Sequence, residues 1–322
     1  MEQNPKVSVI MNCYNSAPYL REAIDSVYAQ TFKDWEIVFL DNASTDESAN
    51  IAKSYDPKIK YFKEEIKVTL GAARNLALKH VKGEYITFLD CDDVWLPTKL
   101  EKQIEIMNSK PEIDFIYSNY IINDQVDNKK RVWTTHPQPS GDVFGAFLSV
   151  YPVALLTVMI RKKAVYELPE YFDERLGFAE EYDLFMRILM NHKAEYMSEP
   201  LSSYRVHSKM STLNKMVDNI KEMEYVMEKL VMINPSIKTE YADALKHLQT
   251  SNALMYTWYY IMTGDYSAAK QKISYYRFSN LKALFYYFLL NMPRPITDLL
   301  WMLRCCLKGS RSQQDVIKQN NK

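Results

Sequence analysis

Short apolar runs alternate with helical patterns over residues 7–90, and this alternation limits the possible fold more than any other feature. The apolar runs, which we predict to be strands, are 7–10, 37–40, 59–62 and 85–89. Between the first two runs, Leu20, Ile24 and Val27 recur at helical spacing. Strands that alternate with helices indicate strand-helix-strand units. We therefore predict an α/β domain with a Rossmann-like, mostly parallel central sheet flanked by helices.

Aspartates follow two of the predicted strands. Asp41 comes directly after the second strand, and the segment 90–93, Asp-Cys-Asp-Asp, follows the fourth. Carboxyl ends of parallel strands meet at one edge of a sheet, where open α/β sheets bind ligands, so we expect these carboxylates to lie together. Neighbouring aspartates repel one another, and Mg²⁺ or Mn²⁺ held jointly with substrate phosphates would offset their charge. The alternative is a solvated acidic turn or a helix cap.

Two further segments carry groups suited to a ligand site. In the first loop, the ring of Tyr14 could stack on a nucleobase, although the same residues also suit an ordinary turn. At the start of a predicted helix over 180–191 stand Glu180, Glu181 and Asp183. A carboxylate there could accept a proton from a substrate, or the three charges could complement the positive end of the helix dipole.

Three predictions concern local structure. Ser44 and Glu47 have the spacing of a capping box that would begin a helix reaching to about residue 54. The polar, proline-bearing region 124–141 is predicted to be a mobile loop. Residues 155–160 are predicted to form a strand.

Charge and cysteine content exclude several classes of protein. Lys and Arg together number 40, as do Asp and Glu, so no bulk basic charge attracts nucleic acid. We expect no signal peptide, and no run reaches the ~18 uninterrupted apolar residues of a membrane-spanning helix. The four cysteines, Cys13, Cys91, Cys305 and Cys306, match neither a zinc site nor a disulfide framework. A cytoplasmic location is therefore expected.

Strand patterns cease near residue 212, and helical patterns continue to the end of the sequence. We therefore predict a ligand-binding α/β domain over 1–212 and a helical domain over 213–322, in which Gly264 ends one helix and Asp265 caps the next. Apolar stripes at i, i+3, i+4 spacing cover 281–292 and 296–307, with arginine and lysine nearby. Such stripes could lie on an anionic membrane surface, or pack on the α/β domain or on a second subunit.

Five segments, in order, closely resemble the motifs of family 2 glycosyltransferases. They are Val-Ser-Val-Ile-Met-Asn-Cys-Tyr-Asn at 7–15, Asp-Asn-Ala-Ser-Thr-Asp at 41–46, Gly-Ala-Ala-Arg-Asn at 71–75, Phe-Leu-Asp-Cys-Asp-Asp-Val-Trp at 88–95 and Glu-Glu-Tyr-Asp-Leu at 180–184. The resemblance extends over about residues 6–212. It implies a glycosyltransferase-A fold, a nucleotide-sugar donor that is most often UDP-linked, a divalent metal, and transfer of a hexosyl or N-acetylhexosaminyl group with inversion at the anomeric carbon.

The resemblance also implies roles for single residues. Those that would bind the nucleotide are Cys13, Tyr14, Asn15, Asp41, Arg74 and Asp90. Asp92 would bind the metal and so take part in catalysis, while His207 would complete the metal shell, contact the diphosphate or serve as a structural hydrogen-bonding group. Glu181 would remove the proton from the acceptor hydroxyl. The family pattern there is Glu followed by Asp, and this chain has Glu180 followed by Glu181.

The acceptor and the alternatives are less closely defined. A saccharide or lipid-linked saccharide of a bacterial surface polysaccharide is the expected acceptor, and the apolar stripes favour a peripheral position at the inner face of the cell membrane. A nucleotidyltransferase that forms nucleotide sugars can share this general fold, but the loop 12–16 lacks the glycine and lysine it would need. A non-catalytic scaffold that assembles through its helical domain is the alternative from another class. Trp95 and Met210 could line the sugar site, although apolar core is the simpler interpretation for each.

Overall fold

The computed structural model describes residues 4–208 and 216–293 of the 322-residue chain. The chain divides into two compact units. Residues 1–147 and 151–210 form the first, and residues 148–150 and 211–322 form the second. Within the described residues, every strand belongs to the first unit, and the second is helical.

A mixed nine-stranded sheet forms the centre of the first unit. Its strands are β1 (Val7–Cys13), β2 (Trp35–Asn42), β3 (Ile59–Glu64), β4 (Tyr85–Phe88), β5 (Val94–Trp95), β6 (Ile113–Asp124), β7 (Lys129–Val132), β8 (Met159–Arg161) and β9 (Lys193–Val206). The order is β3-β2-β1-β4-β8-β6-β9-β5, with β7 paired to β6 outside this path. Strands β3, β2, β1 and β4 run parallel, β8 is antiparallel to both of its neighbours, and β6 and β9 are parallel.

Strands β1, β2 and β4 lie in the most buried part of this sheet. Every residue of β2 and β4 is buried, and all but one of β1. Near-continuous apolar strands suit a sheet covered by helices on both faces. In the register of β1 with β2, Cys13 lies opposite Asp41, and β4 pairs with the other side of β1. The carboxyl ends of the three strands therefore meet at one edge, as the sequence predicts.

Helices connect these strands, and the predicted α/β fold class is confirmed. The helices that begin in the first unit are α1 (Ala17–Tyr28), α2 (Ser48–Lys53), α3 (Leu70–Leu78), α4 (Lys99–Ser109), α5 (Phe144–Ser149), α6 (Lys162–Tyr166) and α7 (Glu180–Leu189). Helix α3 begins at a side-chain cap, because the Thr69 hydroxyl accepts a hydrogen bond from the Ala72 amide.

The three local predictions are wrong in whole or in part, because tertiary contacts override local patterns. Ser44 lies in the loop before α2, where its amide donates to Asp41 Oδ1 at 2.8 Å and its hydroxyl accepts from the Asn15 amide at 3.1 Å. The region 124–141 contains β7, which forms a hairpin with β6. Residues 155–157 form a 3-10 turn, and β8 begins after it.

The second unit contains five described helices. They are α8 (Met216–Ile233), α9 (Ile237–Glu240), α10 (Ala242–Thr263), α11 (Tyr266–Ser274) and α12 (Leu281–Asn291). Gly264 adopts φ 83° at the end of α10, a left-handed conformation that glycine enters without steric cost. The Asp265 side chain accepts a hydrogen bond from the Ala268 amide at 3.0 Å and caps α11. Both predictions for this turn are confirmed.

The apolar stripe predicted over 281–292 is largely exposed. The exposed fractions are 85% for Leu281, 51% for Phe285 and 56% for Phe288, whereas Leu289 is buried. Within the described residues, most of this stripe therefore does not form core. No helix among residues 4–208 and 216–293 has both the length and the apolar character needed to cross a membrane. Met210, Cys305, Cys306 and the stripe over 296–307 lie outside the described residues.

Candidate active site

Asp41 lies at the end of β2 and is fully buried. Its Oδ1 accepts the Ser44 amide at 2.8 Å, and its Oδ2 accepts the Tyr61 hydroxyl at 2.6 Å. These two bonds fix the carboxylate and stabilise the loop after β2, where Ala43 adopts φ 62°. Asp41 therefore holds the loop between β2 and α2, and its role in base binding stays a prediction.

The first loop is held against the loop that follows β2. Asn15 adopts φ 50°, and its Oδ1 accepts the Thr45 amide at 2.8 Å. The Ala17 amide donates to Asp46 Oδ2 at 3.0 Å. These contacts leave Tyr14 43% exposed at the carboxyl end of β1. Its ring is therefore available to stack on a base, as predicted from the sequence.

A lysine and two cysteines surround this loop. Lys67 Nζ lies 3.6 Å from the centroid of the Tyr14 ring. Cys13 is buried, and a hydrogen bond with Cys91 lowers the pKa of its thiol to about 7. The Cys91 thiol in turn donates to the Asn12 carbonyl at 3.2 Å. Since the Cys13 side chain is buried, only its backbone edge is suited to contact a base.

Arg74 connects the fourth strand end to the later acidic helix. Its Nη1 donates to Glu180 Oε1 at 2.6 Å, and its Nη2 donates to Asp90 Oδ1 at 3.3 Å. The guanidinium is 3% exposed, and although burial opposes its charge, the carboxylates of Glu180 and Asp90 raise its pKa. The sequence predicts Arg74 near the base or diphosphate. That placement stays a prediction, and in the structure Arg74 holds two carboxylate-bearing segments together.

Asp92 lies next to His207. The distance between Asp92 Oδ2 and His207 Nε2 is 3.0 Å, and the Asp92 side chain is 36% exposed. The His207 ring lies 4.8 Å from that of Tyr19, between centroids. The two residues predicted to bind a metal are therefore adjacent although they are 115 positions apart.

Arg205 holds the aspartate segment 90–93 in place, a role that the sequence reasoning missed. Its Nε donates to the Asp92 carbonyl at 2.6 Å, its amide donates to Asp93 Oδ1 at 2.8 Å, and its Nη2 donates to Glu22 at 2.6 Å. Asp93 is buried, so burial and the charges of Asp92 and Asp90 raise its pKa well above the usual range. The segment Tyr-Arg-Val-His at 204–207 was the available signal for Arg205.

The donor set fits a divalent cation that is shared with a substrate. Among the described residues, no group of three or more His, Cys, Asp or Glu side chains is arranged to hold a metal. Mg²⁺ and Mn²⁺ are commonly held by one or two carboxylates together with substrate phosphates and water. Asp92, partly exposed beside His207, matches that pattern, and the diphosphate of a donor would supply the remaining oxygens.

The three acidic residues of α7 have different environments. Glu180 is paired with Arg74, and Asp183 Oδ2 is paired with Arg187 Nη2 at 2.6 Å in a buried (i, i+4) ion pair. Glu181 stands outside both ion pairs and is half-buried. Burial raises its pKa to about 8, with Glu180 and Asp90 adding to the effect and Arg74 opposing it. A carboxyl group with such a pKa suits proton transfer near neutral pH.

Trp95 belongs to the core. It is 2% exposed, and its Nε1 donates to the Leu156 carbonyl at 2.9 Å. The apolar-core interpretation of this residue is confirmed, and it does not line the site.

Comparison with known proteins identifies a family. A family model described as glycosyl transferase family 2 matches residues 8–168. An uncharacterised glycosyltransferase of Rickettsia typhi is 34% identical over 232 residues, which cover 70% of this chain and 72% of that protein. An Escherichia coli protein named UDP-Glc:alpha-D-GlcNAc-diphosphoundecaprenol beta-1,3-glucosyltransferase WfaP is 33% identical over 219 residues, which cover 67% of this chain and 83% of that protein.

Solved structures include a similar fold. A mannosyltransferase from Pyrobaculum calidifontis, solved in complex with GDP-Man and Mn²⁺, has a TM-score of 0.63 and 16% sequence identity. The similarity covers 97% of this chain and 85% of that one. It supports the glycosyltransferase-A fold.

Proposed function

This chain belongs to glycosyl transferase family 2, and from that premise we propose that it is a metal-dependent, inverting enzyme with a UDP-linked donor. The sugar would be a hexose or an N-acetylhexosamine, and the acceptor a saccharide hydroxyl. The observation that carries this proposal is the placement of Asp90 and Asp92 at one sheet edge, with Glu181 joined to them through Arg74 and Glu180. No observation favours the nucleotidyltransferase or scaffold alternatives.

Each residue of the site would have a separate task. Tyr14 would stack on the base, and Asp92 with His207 would hold the metal. When bound, the metal would supply positive charge that offsets the charge of the diphosphate. Asp90, fixed by Arg74, would position the ribose or the sugar. Glu181 would take the proton of the acceptor hydroxyl. At the same time the hydroxyl oxygen would bond to the anomeric carbon, and the bond between that carbon and the diphosphate oxygen would break. A single displacement of this kind inverts the anomeric carbon.

We further propose that the acceptor is a lipid-linked saccharide presented at the cytoplasmic face of a membrane. The name of the E. coli relative specifies UDP-Glc as donor and a diphosphoundecaprenol-linked GlcNAc as acceptor. The exposed residues Leu281, Phe285 and Phe288 of α12 support contact with a membrane surface. Liposome flotation of the full chain checks that contact.

A donor screen tests the proposed function directly. Many transferases slowly transfer sugar to water, so purified protein is incubated with UDP-, GDP- and dTDP-linked sugars and Mn²⁺, and release of nucleoside diphosphate is measured. We expect one UDP-sugar to be consumed faster than all others. If none of the nucleotide sugars is hydrolysed with Mn²⁺ or Mg²⁺, the donor-site assignment is contradicted.

Nucleotide binding should depend on the metal. A ligand that binds only the folded state adds ~2.7 kcal/mol at a concentration 100 times its dissociation constant. At this chain length that corresponds to a rise in melting temperature of several degrees. We therefore expect UDP to raise the melting temperature with Mn²⁺ or Mg²⁺ present and not in excess chelator. Uridine, which lacks the phosphates, is the control, and an equal shift without metal would contradict the metal site.

A further inference from the structure

Three aromatic side chains on β6, β9 and the residue after β7 form a cluster that the sequence reasoning did not assign to the site. The rings of Tyr120 and Trp133 are stacked, with centroids 5.4 Å apart and planes inclined by 10°. Tyr204 meets Tyr120 edge to face, at 6.2 Å and 73°. All three residues are half-buried, so the cluster is partly accessible to solvent. We call Tyr120, Trp133 and Tyr204 the aromatic platform.

The aromatic platform adjoins the reacting carboxylates. Strand β9 pairs with β5 directly after the aspartate segment, where Ser203 lies opposite Val94. Tyr204 follows Ser203 and precedes Arg205, whose amide donates to Asp93 Oδ1 at 2.8 Å. Tyr120 lies on the strand that pairs with β9, where Ile121 is opposite Ser203. Burial raises the pKa of Tyr120, Arg131 opposes this shift, and the charges of Asp93 and Glu181 add to it. The platform therefore lies beside the aspartate segment, and the charge of the predicted base acts on one of its rings.

Hydrogen bonds hold the platform in place. The Trp133 amide donates to the Tyr120 carbonyl at 2.9 Å. Asn119 is buried, and its Nδ2 donates to the carbonyls of Thr134 at 2.7 Å and Ser198 at 3.2 Å. These bonds fix the end of the β6–β7 hairpin against β9. A rigid ring loses little conformational entropy on binding, so the platform is preorganised for a ligand.

The chemistry of the platform matches a saccharide ring. A pyranose has an apolar C–H face that packs on an aromatic ring and a rim of hydroxyls that seek polar partners. Trp133 and Tyr120 supply the aromatic surface, while the Tyr120 hydroxyl and the nearby carboxylates supply the polar partners. Burial raises the pKa of Tyr120 to about 12, so its phenol stays neutral and can donate a hydrogen bond. A nucleobase has its own candidate ring in Tyr14, at the end of β1.

We propose that the aromatic platform binds the acceptor saccharide and orients its hydroxyl toward Glu181, so that Trp133 and Tyr120 determine acceptor specificity. This inference rests on the proposed function, because it assumes that sugar is transferred at this site. The inference goes beyond the proposed function because it names the side chains that select the acceptor.

The test compares transfer to sugars with transfer to water in the full chain. The probes are methyl glycosides of glucose, galactose and N-acetylglucosamine, used with the donor found by hydrolysis. For Trp133→Ala we expect KM for the accepted glycoside to rise ~10-fold or more, because the variant loses a stacked aromatic ring. Donor hydrolysis without acceptor should keep its kcat and its KM for donor. Val132→Ala, at an exposed position next to Trp133, is the matched control and should behave as wild type.

Further variants separate binding from folding. Trp133→Leu keeps apolar bulk without the aromatic ring, and Trp133→Phe keeps a ring. We expect a raised KM for glycoside in the former and a KM nearer wild type in the latter, with donor hydrolysis intact in both. If Trp133→Ala lowers the melting temperature enough to impair hydrolysis, the KM values of Trp133→Leu and Trp133→Phe decide whether the ring binds the acceptor. Tyr120→Phe keeps the stack and should lower kcat/KM for glycoside without changing hydrolysis.

Several results would overturn the inference. A wild-type KM for glycoside in Trp133→Leu would show that the ring does not bind the acceptor. A raised KM for donor during hydrolysis would place the platform in the donor site. Wild-type enzyme that hydrolyses donor but transfers to none of the glycosides would show that the platform does not take a simple saccharide. Absence of donor hydrolysis in wild type contradicts the proposed function itself, so the two failures are distinguishable.

Discussion

Glu181→Gln is expected to lower the rate of sugar transfer by ~10²–10⁴-fold, the usual worth of a positioned proton acceptor. The amide keeps the shape of the side chain but cannot take a proton from the acceptor hydroxyl. Glu181 stands outside the ion pairs that fix Glu180 and Asp183, so the change removes no buried charge partner. Initial rates of transfer to the preferred glycoside, with donor binding measured by the thermal shift, check this result.

The pH dependence of the wild-type enzyme should report the same residue. Burial raises the pKa of Glu181 from 4.5 to about 8, so the base form increases as pH rises through that value. We expect kcat/KM for the acceptor to fall as pH drops below about 8, and Glu181→Gln to lack this dependence. Folding stability depends on pH in the opposite direction. A carboxyl pKa that is raised in the folded state stabilises that state fully below pH 4.5, and this contribution is lost as pH rises through about 8. The variant should therefore melt no lower than wild type at pH 9.

Two other glutamates serve as controls for this prediction. Glu65→Gln neutralises an exposed side chain 3.6 Å from Lys63, a surface pair that contributes little, and should leave transfer unchanged. Glu180→Gln leaves the buried Arg74 with one carboxylate fewer, so it should act mainly by lowering the melting temperature. If Glu180→Gln is inactive while still folded, and Glu181→Gln transfers at nearly the wild-type rate, Glu180 is the base instead.

The parts of the fold and site that the sequence predicted depend on local patterns. Short apolar runs predicted β1, β2 and β4, and the sheet then brings their carboxyl ends to one edge. For this reason the order of strands along the chain was enough to place Asp41 and the aspartates at 90 and 92 on one edge. Gly264 and Asp265 were equally local signals, because conformation and capping depend on neighbouring residues.

The parts that the sequence did not predict depend on contacts between distant residues. The ion pair of Arg74 with Glu180 joins positions 106 apart, and nothing near either residue indicates the other. The capping box at Ser44 failed because its hydroxyl accepts the amide of Asn15, 29 positions away, and α2 begins only at Ser48. Trp133 lies in a polar, proline-bearing region, which the buried Asn119 and the pairing with β6 help to order.

Asp92→Asn is expected to reduce transfer by ~10²-fold or more, in line with the several kcal/mol that a catalytic metal supplies. The amide keeps the size of the side chain but removes the charge that a hard cation requires, and His207 alone is a poor site for Mg²⁺ or Mn²⁺. The variant should also lose the metal-dependent thermal shift with UDP, which separates loss of metal from loss of chemistry. Asp34→Asn is the matched control, because this exposed aspartate precedes β2 at the opposite end of the strand from Asp41. Full activity of Asp92→Asn, or of wild type in excess chelator, would contradict the metal site.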